Sequence, residues 1–386
     1  VFTWPAFAGV VFNGFIVLAT LLLAPGLQVQ FALHGALPPT LVSARPADGI
    51  VAVAVGWLLG ALAQFLLQLA GLPGVRLAVG VRWRHPAVRQ IVRLYIPVMF
   101  SLILDTLVIR TFSYNLASQT GEGSISYMDL ATTLIQFPQG LIATAISVAI
   151  LPTLSRQAAL ITDEGRAACS DTLGMGLRLT ITLILPAAVG LFMLALPIVA
   201  LLFEHGAFTA ADTSVTALAL RLYLFGLPFA ALDLLLVYAF YARQDTLTPA
   251  LVGLLSLTVY MVIALALFAR FGLYSLMIAD SVKHALHALV SAWLLRRQMR
   301  GFGDQRLLLT IGKAGLAALA MGAVTALALP LLEQWIGTQG FVREAALVLL
   351  AGGVSGGVYL ALAALMRLEE LRWLADMVLQ RLRHAR

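Results

Sequence analysis

Apolar runs of about twenty residues follow one another along the chain, separated by short polar connections. They cover residues 5–25, 48–71, 93–117, 125–152, 175–203, 213–241, 247–269, 273–295, 307–331 and 342–366. A helix rising about 1.5 Å per residue crosses about 30 Å of hydrocarbon in a run of that length. Strands are a poor alternative, because barrel strands are about ten residues long and alternate in polarity, whereas these runs are uniformly apolar. Backbone groups in hydrocarbon must also be satisfied within the segment, which a helix achieves alone. Composition agrees: the 386 residues are 61% hydrophobic and 11% charged, against about 25% charged in soluble domains. The expected fold class is therefore all-α, a polytopic transmembrane bundle of about ten spans.

Loop charges test that division. Arg76, Arg82, Arg84, Arg89 and Arg93, then Arg156 and Arg166, Arg243, Arg296, Arg297, Arg300 and Arg306, and finally Arg367, Arg372, Arg381, Arg383 and Arg386, fall in alternate loops. The other loops hold Arg45, Arg270 and Arg343. Cytoplasmic loops are enriched in basic residues, so the C-terminus and the loop 72–92 are expected in the cytoplasm. The net charge of +7 forms no continuous basic face, which argues against a nucleic-acid partner. After the last span, Leu371, Leu374, Ala375, Val378 and Leu382 share a helical face flanked by basic residues, the pattern of a helix lying on the inner membrane surface. The single cysteine, Cys169, excludes an internal disulfide. The start at Val1 lacks a basic n-region and reads as a cut within a longer chain, not as a signal peptide. No Gly-rich phosphate loop is present, so ATP-driven transport by this chain alone is not expected.

Ionisable residues within spans are costly unless they face a cavity or a partner, and each is a functional candidate. In the fourth segment Ser126, Asp129, Thr133, Gln136, Gly140, Thr144 and Ser147 recur at steps of three and four, which predicts one polar face along a water-filled cavity. The bland alternative is hydrogen bonding between packed helices. Asp105 and Arg110 in the third segment are five apart and are expected on different faces of an α-helix. Arg110 and Thr133 lie at similar distances from the turn near Gly121, hence at one depth, where an arginine suits a phosphate; the alternative is an Arg snorkelling to the interface. In the eighth segment Asp280, Lys283, His284, His287 and Ser291 recur at helical spacing, and Asp280, Lys283 and His284 are candidates for an ion or proton path. His284 and His287 lack an evident third ligand, so no metal site is expected. Asp233 is a further candidate for the cavity lining, with no partner apparent in sequence. Pro97, Pro138, Pro186, Pro197 and Pro228 mark expected breaks or kinks within spans.

Four stretches carry a family resemblance: Gly123-Ser-Ile-Ser with Gln136-Phe-Pro-Gln-Gly140; Leu151-Pro-Thr-Leu-Ser-Arg156; Leu202-Phe-Glu-His-Gly-Ala-Phe-Thr209; and Phe240-Tyr-Ala-Arg-Gln-Asp-Thr-Leu-Thr-Pro249. In content, order and spacing they resemble the MurJ/MviN family of lipid II flippases, within the superfamily that also holds polysaccharide flippases and MATE-type drug exporters. The resemblance implies two six-helix lobes followed by two C-terminal helices that form a groove for a lipid tail. On that template the segments are the last ten spans, and the first four lie outside this sequence. Residues 1–71 would be the last two spans of the N-terminal lobe and 72–92 the cytoplasmic inter-lobe loop. Residues 93–300 would be the C-terminal lobe, 301–368 the groove helices and 369–386 a cytoplasmic amphipathic tail.

The resemblance also implies a function: alternating access that carries lipid II, or a similar polyprenyl-diphosphate-linked substrate, from the inner to the outer leaflet of the bacterial cytoplasmic membrane. The implied chain is a monomer among membrane lipids, not an enzyme, with no cofactor and an unspecified coupling ion. This sequence departs from the pattern at Ala131-Thr-Thr133, where the family places an arginine, so Thr133 stands for a charge that Arg110 would supply. The family's cation site on its seventh and eleventh spans has a counterpart in Asp105 only, because 249–269 holds no Asp, Asn or Glu. Two alternatives stay open: a flippase or exporter for another polyprenyl-linked glycan, and a non-transporting membrane scaffold derived from a flippase.

Overall fold

The computed structural model describes residues 3–23, 49–71, 85–160, 162–299, 305–337, 340–371 and 373, and these are helical with short turns and no strand among them. The chain divides into two compact units, Val1–Arg82 and Trp83–Arg386.

The first unit is a helix pair, α1 (Thr3–Leu23) and α2 (Gly49–Ala70). Glycine makes the pairing possible. A Cβ at Gly60 would sit 2.7 Å from the Phe12 carbonyl oxygen, and one at Gly56 would sit 2.9 Å from the Ile16 Cα. The two form a G-x-x-x-G face that lets backbones touch, the usual basis of helix association where lipid removes the hydrophobic drive.

The second unit begins with α3 (Pro86–Ile103), which passes through a π-helical turn (Leu104–Ile109) into α4 (Arg110–Ser118). The next span repeats the device: α5 (Ser124–Pro138), a second π-helical turn (Gln139–Thr144) and α6 (Ala145–Ala158). Then come α7 (Asp163–Met193), α8 (Ala195–Phe203), α9 (Ala210–Leu224), α10 (Leu227–Ala242), α11 (Leu247–Phe271), α12 (Tyr274–Gln298), α13 (Leu307–Ile336) and α14 (Phe341–Leu365).

Each of the ten expected segments is helical. Seven helices among the described residues are long and apolar enough to cross a membrane, or eight when α9 and α10, bent by 45°, count as one span. Of the other two segments, α1 has a described apolar stretch of only Phe7–Leu23. The other, α12, is diluted by Asp280, Lys283, Arg296 and Arg297. The proline expectations divide. The chain breaks at Leu194 and at Gly226, so that Pro197 and Pro228 fall in first turns, where the missing N–H is harmless. The second π turn directly follows Pro138, whereas Pro186 lies inside an unbroken α7.

Packing in the second unit centres on α7, α9, α10 and α12. Ile184, Leu220, Leu224, Leu276 and Met277 form one buried cluster, and Leu154, Leu173, Phe240 and Leu295 another. Helices α13 and α14 pack on α7 through Ala314, Ala317, Ala318, Met321 and Tyr359. Polar contacts fix this layer. The Tyr359 hydroxyl donates to the Thr182 carbonyl at 2.6 Å, Arg178 meets Glu370 at 3.1 Å, and the Gln305 amide donates to Asp171 at 2.7 Å. Glu370, expected in the cytoplasmic amphipathic tail 369–386, is thus buried against α7; most of that tail, 374–386, lies outside the described residues, as do residues 24–48 and 72–84. The outward faces stay apolar, with Leu308, Leu327, Val342, Leu349 and Leu365 each at least 74% exposed. Exposed apolar surface on this scale needs lipid around it.

Candidate functional site

The first π turn builds the site. In an α-helix residues five apart diverge, which was the expectation for Asp105 and Arg110. Here the Arg110 N–H bonds to the Asp105 carbonyl, an i→i+5 step, and both side chains line one cavity of about 300 Å³. The expectation of separate faces is therefore overturned by local helix geometry. Single π turns of this kind concentrate at functional sites. The cavity is completed by Asp129 and Gln136 of α5, Tyr223 of α9, Tyr260 of α11 and Asp280 of α12.

Arg110 is held, not loose. Its Nε and one terminal nitrogen donate to the Tyr114 hydroxyl at 3.1 and 3.0 Å. That hydroxyl donates onward to the Asp129 carboxylate at 2.9 Å. The phenol thus links the guanidinium on one helix to the carboxylate on the next. Arg110 and Thr133 each lie one helical turn from this crossing, on opposite helices.

The polar face of the fourth segment is shorter than its sequence spacing predicts. Asp129 and Gln136 reach the cavity, but Thr132 lines it in place of Thr133. Thr133 is exposed and its hydroxyl returns to the Asp129 carbonyl at 2.8 Å. Beyond Pro138 the second π turn shifts the phase, so that Ser147 ends fully buried. The spacing argument assumed an uninterrupted α-helix, and the turn removes that assumption.

A second cavity, of about 230 Å³, shares Asp105 with the first. Lys283, His284 and His287 of α12, Asp233 of α10, and Ser101 and Ser256 also line it. Asp280 binds Lys283 at 2.6 Å and approaches His284 at 3.6 Å. Lys283 also stands 5.5 Å from the Tyr260 ring centroid, within cation–π range. Asp233, without an apparent partner in sequence, meets His287 Nδ1 at 2.5 Å. The candidates of the third, sixth and eighth segments therefore converge. Sequence reasoning missed Tyr114, Tyr260, Ser113 and Ser101; the Tyr260–Ser113 hydroxyl contact is 2.7 Å. The available signal was tyrosine at helical spacing from the charges, as Tyr114 stands from Arg110. Among the described residues, no three of His, Cys, Asp or Glu gather as a metal would require.

Comparisons with known proteins agree with this architecture. The family model described as lipid II flippase MurJ matches residues 1–345. A probable lipid II flippase MurJ of Haemophilus influenzae is 34% identical over 308 residues, 76% of this chain and 58% of that protein. The lipid II flippase MurJ of Burkholderia cenocepacia is 32% identical over 261 residues, 66% of this chain and 46% of that protein. The chain thus spans about half the length of these curated relatives. A solved structure of lipid II flippase MurJ in an inward closed conformation superposes with a TM-score of 0.67 at 21% identity, over 94% of this chain and 67% of that one. This multi-pass inner-membrane chain belongs to the MurJ family of lipid II flippases, which are transporters and not enzymes.

Proposed function

We propose that the protein to which this chain belongs moves lipid II from the inner to the outer leaflet by alternating access. The observation that carries the reading is the pair of polar cavities sharing Asp105 inside a MurJ-family bundle. A diphosphate head cannot cross hydrocarbon bare, because an unpaired charge there costs several kcal/mol or more. A hydrated recess with a fixed guanidinium lowers that barrier, and a prenyl tail can stay in lipid beside it. Arg110 is the phosphate-facing group of this chain, aimed by Tyr114 and Asp129. It takes the part that an arginine at Thr133 would play. Asp280, Lys283 and His284, with the Asp233–His287 pair, form the ion or proton path that couples conformation to the membrane gradient.

The protein works as a monomer with its C-terminus in the cytoplasm, and residues 93–300 are the lobe that rocks against its N-terminal counterpart. The lobe division at 72–92 and the groove role of α13 and α14 rest on the family template. The test is lipid II exposure on the outer leaflet of bacteria depleted of their own flippase and given the full-length gene. Restored exposure establishes the substrate. Protein present in the membrane without restoration refutes it and points to another polyprenyl-linked glycan, the reading that Thr133 favours, or to a non-transporting scaffold.

A further inference from the structure

A third cavity, of about 230 Å³, lies where α6, α10 and α12 end and α7 begins, away from the residues assigned to transport. Its walls carry the guanidiniums of Arg166 and Arg243, the amides of Gln157 and Gln298, and the thiol of Cys169. One of the sequence stretches that the transport reading left without a role reaches this cavity, and another ends beside it. Leu151–Arg156 runs directly into Gln157, and Arg243 belongs to Phe240–Pro249.

Among the described residues the fold meets this charge only with Asp163. Arginines at helix C-termini often cap carbonyls, but these ends close on their own backbone. Arg243 N–H and Asp245 N–H both bond to the Phe240 carbonyl, Gln244 N–H to Tyr241, and Leu160 N–H to Gln157. The Asp245 carboxylate, near in sequence to Arg243, accepts from the Thr248 N–H at 3.0 Å. Asp163 stands 3.4 Å from Arg166, but its side chain is 93% exposed, and water weakens such a pair. The Gln157 Oε1 is buried and has no hydrogen-bond partner among the described residues. That oxygen therefore belongs to the wall, and the charge the cavity offers is that of the two arginines.

We propose that this cavity binds an anionic phosphate ester. The phosphate oxygens sit between the two guanidiniums, whose forked donors match that geometry. The same chemistry is offered by a phospholipid headgroup ending in glycerol and by a soluble glycerol or sugar phosphate. The site is independent of the flippase reading.

The test uses the purified protein in detergent with four probes. Phosphatidylglycerol and glycerol 1-phosphate carry the proposed chemistry, while phosphatidylcholine and glycerol are the controls. Native mass spectrometry reads the lipids and isothermal calorimetry the soluble compounds. One phosphate probe should bind more tightly than its control, and Arg166→Gln and Arg243→Gln should each weaken it about tenfold, the loss of roughly one charge-assisted bond. Binding of the lipid alone assigns the site to the membrane, and binding of the soluble ester alone assigns it to the aqueous phase. Should Arg243→Gln lower the melting temperature, Arg166→Gln, at an exposed side chain, gives the same reading. The proposal is overturned if neither phosphate probe exceeds its control, or if both arginine variants bind as the parent does.

Discussion

Arg110 lines the first cavity, and its hydrogen bonds to Tyr114 hold its guanidinium in place. Replacing it with Ala should abolish rescue of lipid II exposure at unchanged membrane abundance, whereas Arg110→Lys should retain a fraction, because lysine keeps the charge and loses the planar fork. Tyr114→Phe keeps the ring and removes the link to Asp129. Transport should fall by roughly tenfold, about the worth of one charge-assisted hydrogen bond, with melting temperature held; a parental rate would mean that Tyr114 does not position Arg110. The Asp233–His287 pair behaves differently, because both groups are largely buried. Asp233→Ala leaves an unmatched imidazole and should destabilise by about 3–5 kcal/mol if the pair is charged. Asp233→Ala with His287→Ala should cost less than the sum of the two single changes in a double-mutant cycle; strict additivity of melting free energies would show that the two do not interact. Asp105, Arg110, Asp129, Asp233 and Asp280 were legible in sequence because charge in an apolar run is rare. Their partnerships were not, since Asp233 and His287 are separated by 54 positions and no local spacing connects them.

Helices as elements were legible for a simple reason: an apolar run that must satisfy its own backbone has one solution. The two π turns were not. Each inserts one residue into a ladder whose side chains look ordinary, and each changes which residues share a face. Deleting Thr106, inside the first π turn, should restore a regular α-helix and leave Asp105 and Arg110 four positions apart, still on one face. The variant should reach the membrane, melt normally and still restore lipid II exposure, because the shared face is kept. Loss of transport at normal abundance would show that the π turn itself, and not only the shared face, belongs to the mechanism. The G-x-x-x-G contact in the first unit offers a stability test of the same kind. Gly60→Leu drives a side chain into the Phe12 backbone, which cannot yield as a side-chain tip can. The cost should be at least about 1–3 kcal/mol, seen as a lower melting temperature in detergent, while Gly9→Leu, with open space around it, should be neutral.

At the scale of the molecule, the loop arginines predict one orientation. Along the sequence the arginines fall in alternate loops. In the second unit the ends of α6, α10 and α12 and the start of α7 close around a single cavity that holds Arg166 and Arg243, so loops distant in sequence share one end of the bundle. The insertion machinery holds basic connections on the cytoplasmic side, and a bundle assembled from such spans places them together. The span Ser124–Ala158 tests this directly, because Glu122 lies just outside one end and Ala159 just outside the other, both exposed. With Cys169 changed to Ser, the chain has no other thiol. Glu122→Cys should react with a membrane-impermeant maleimide in intact spheroplasts. Ala159→Cys should react only after permeabilisation. The reverse pattern would invert every assignment of side, including the cytoplasmic C-terminus and the leaflet from which substrate enters. Reaction of both in intact spheroplasts would mean that the π turn after Pro138 marks a re-entrant segment, and the cavity above it would then open to one side only.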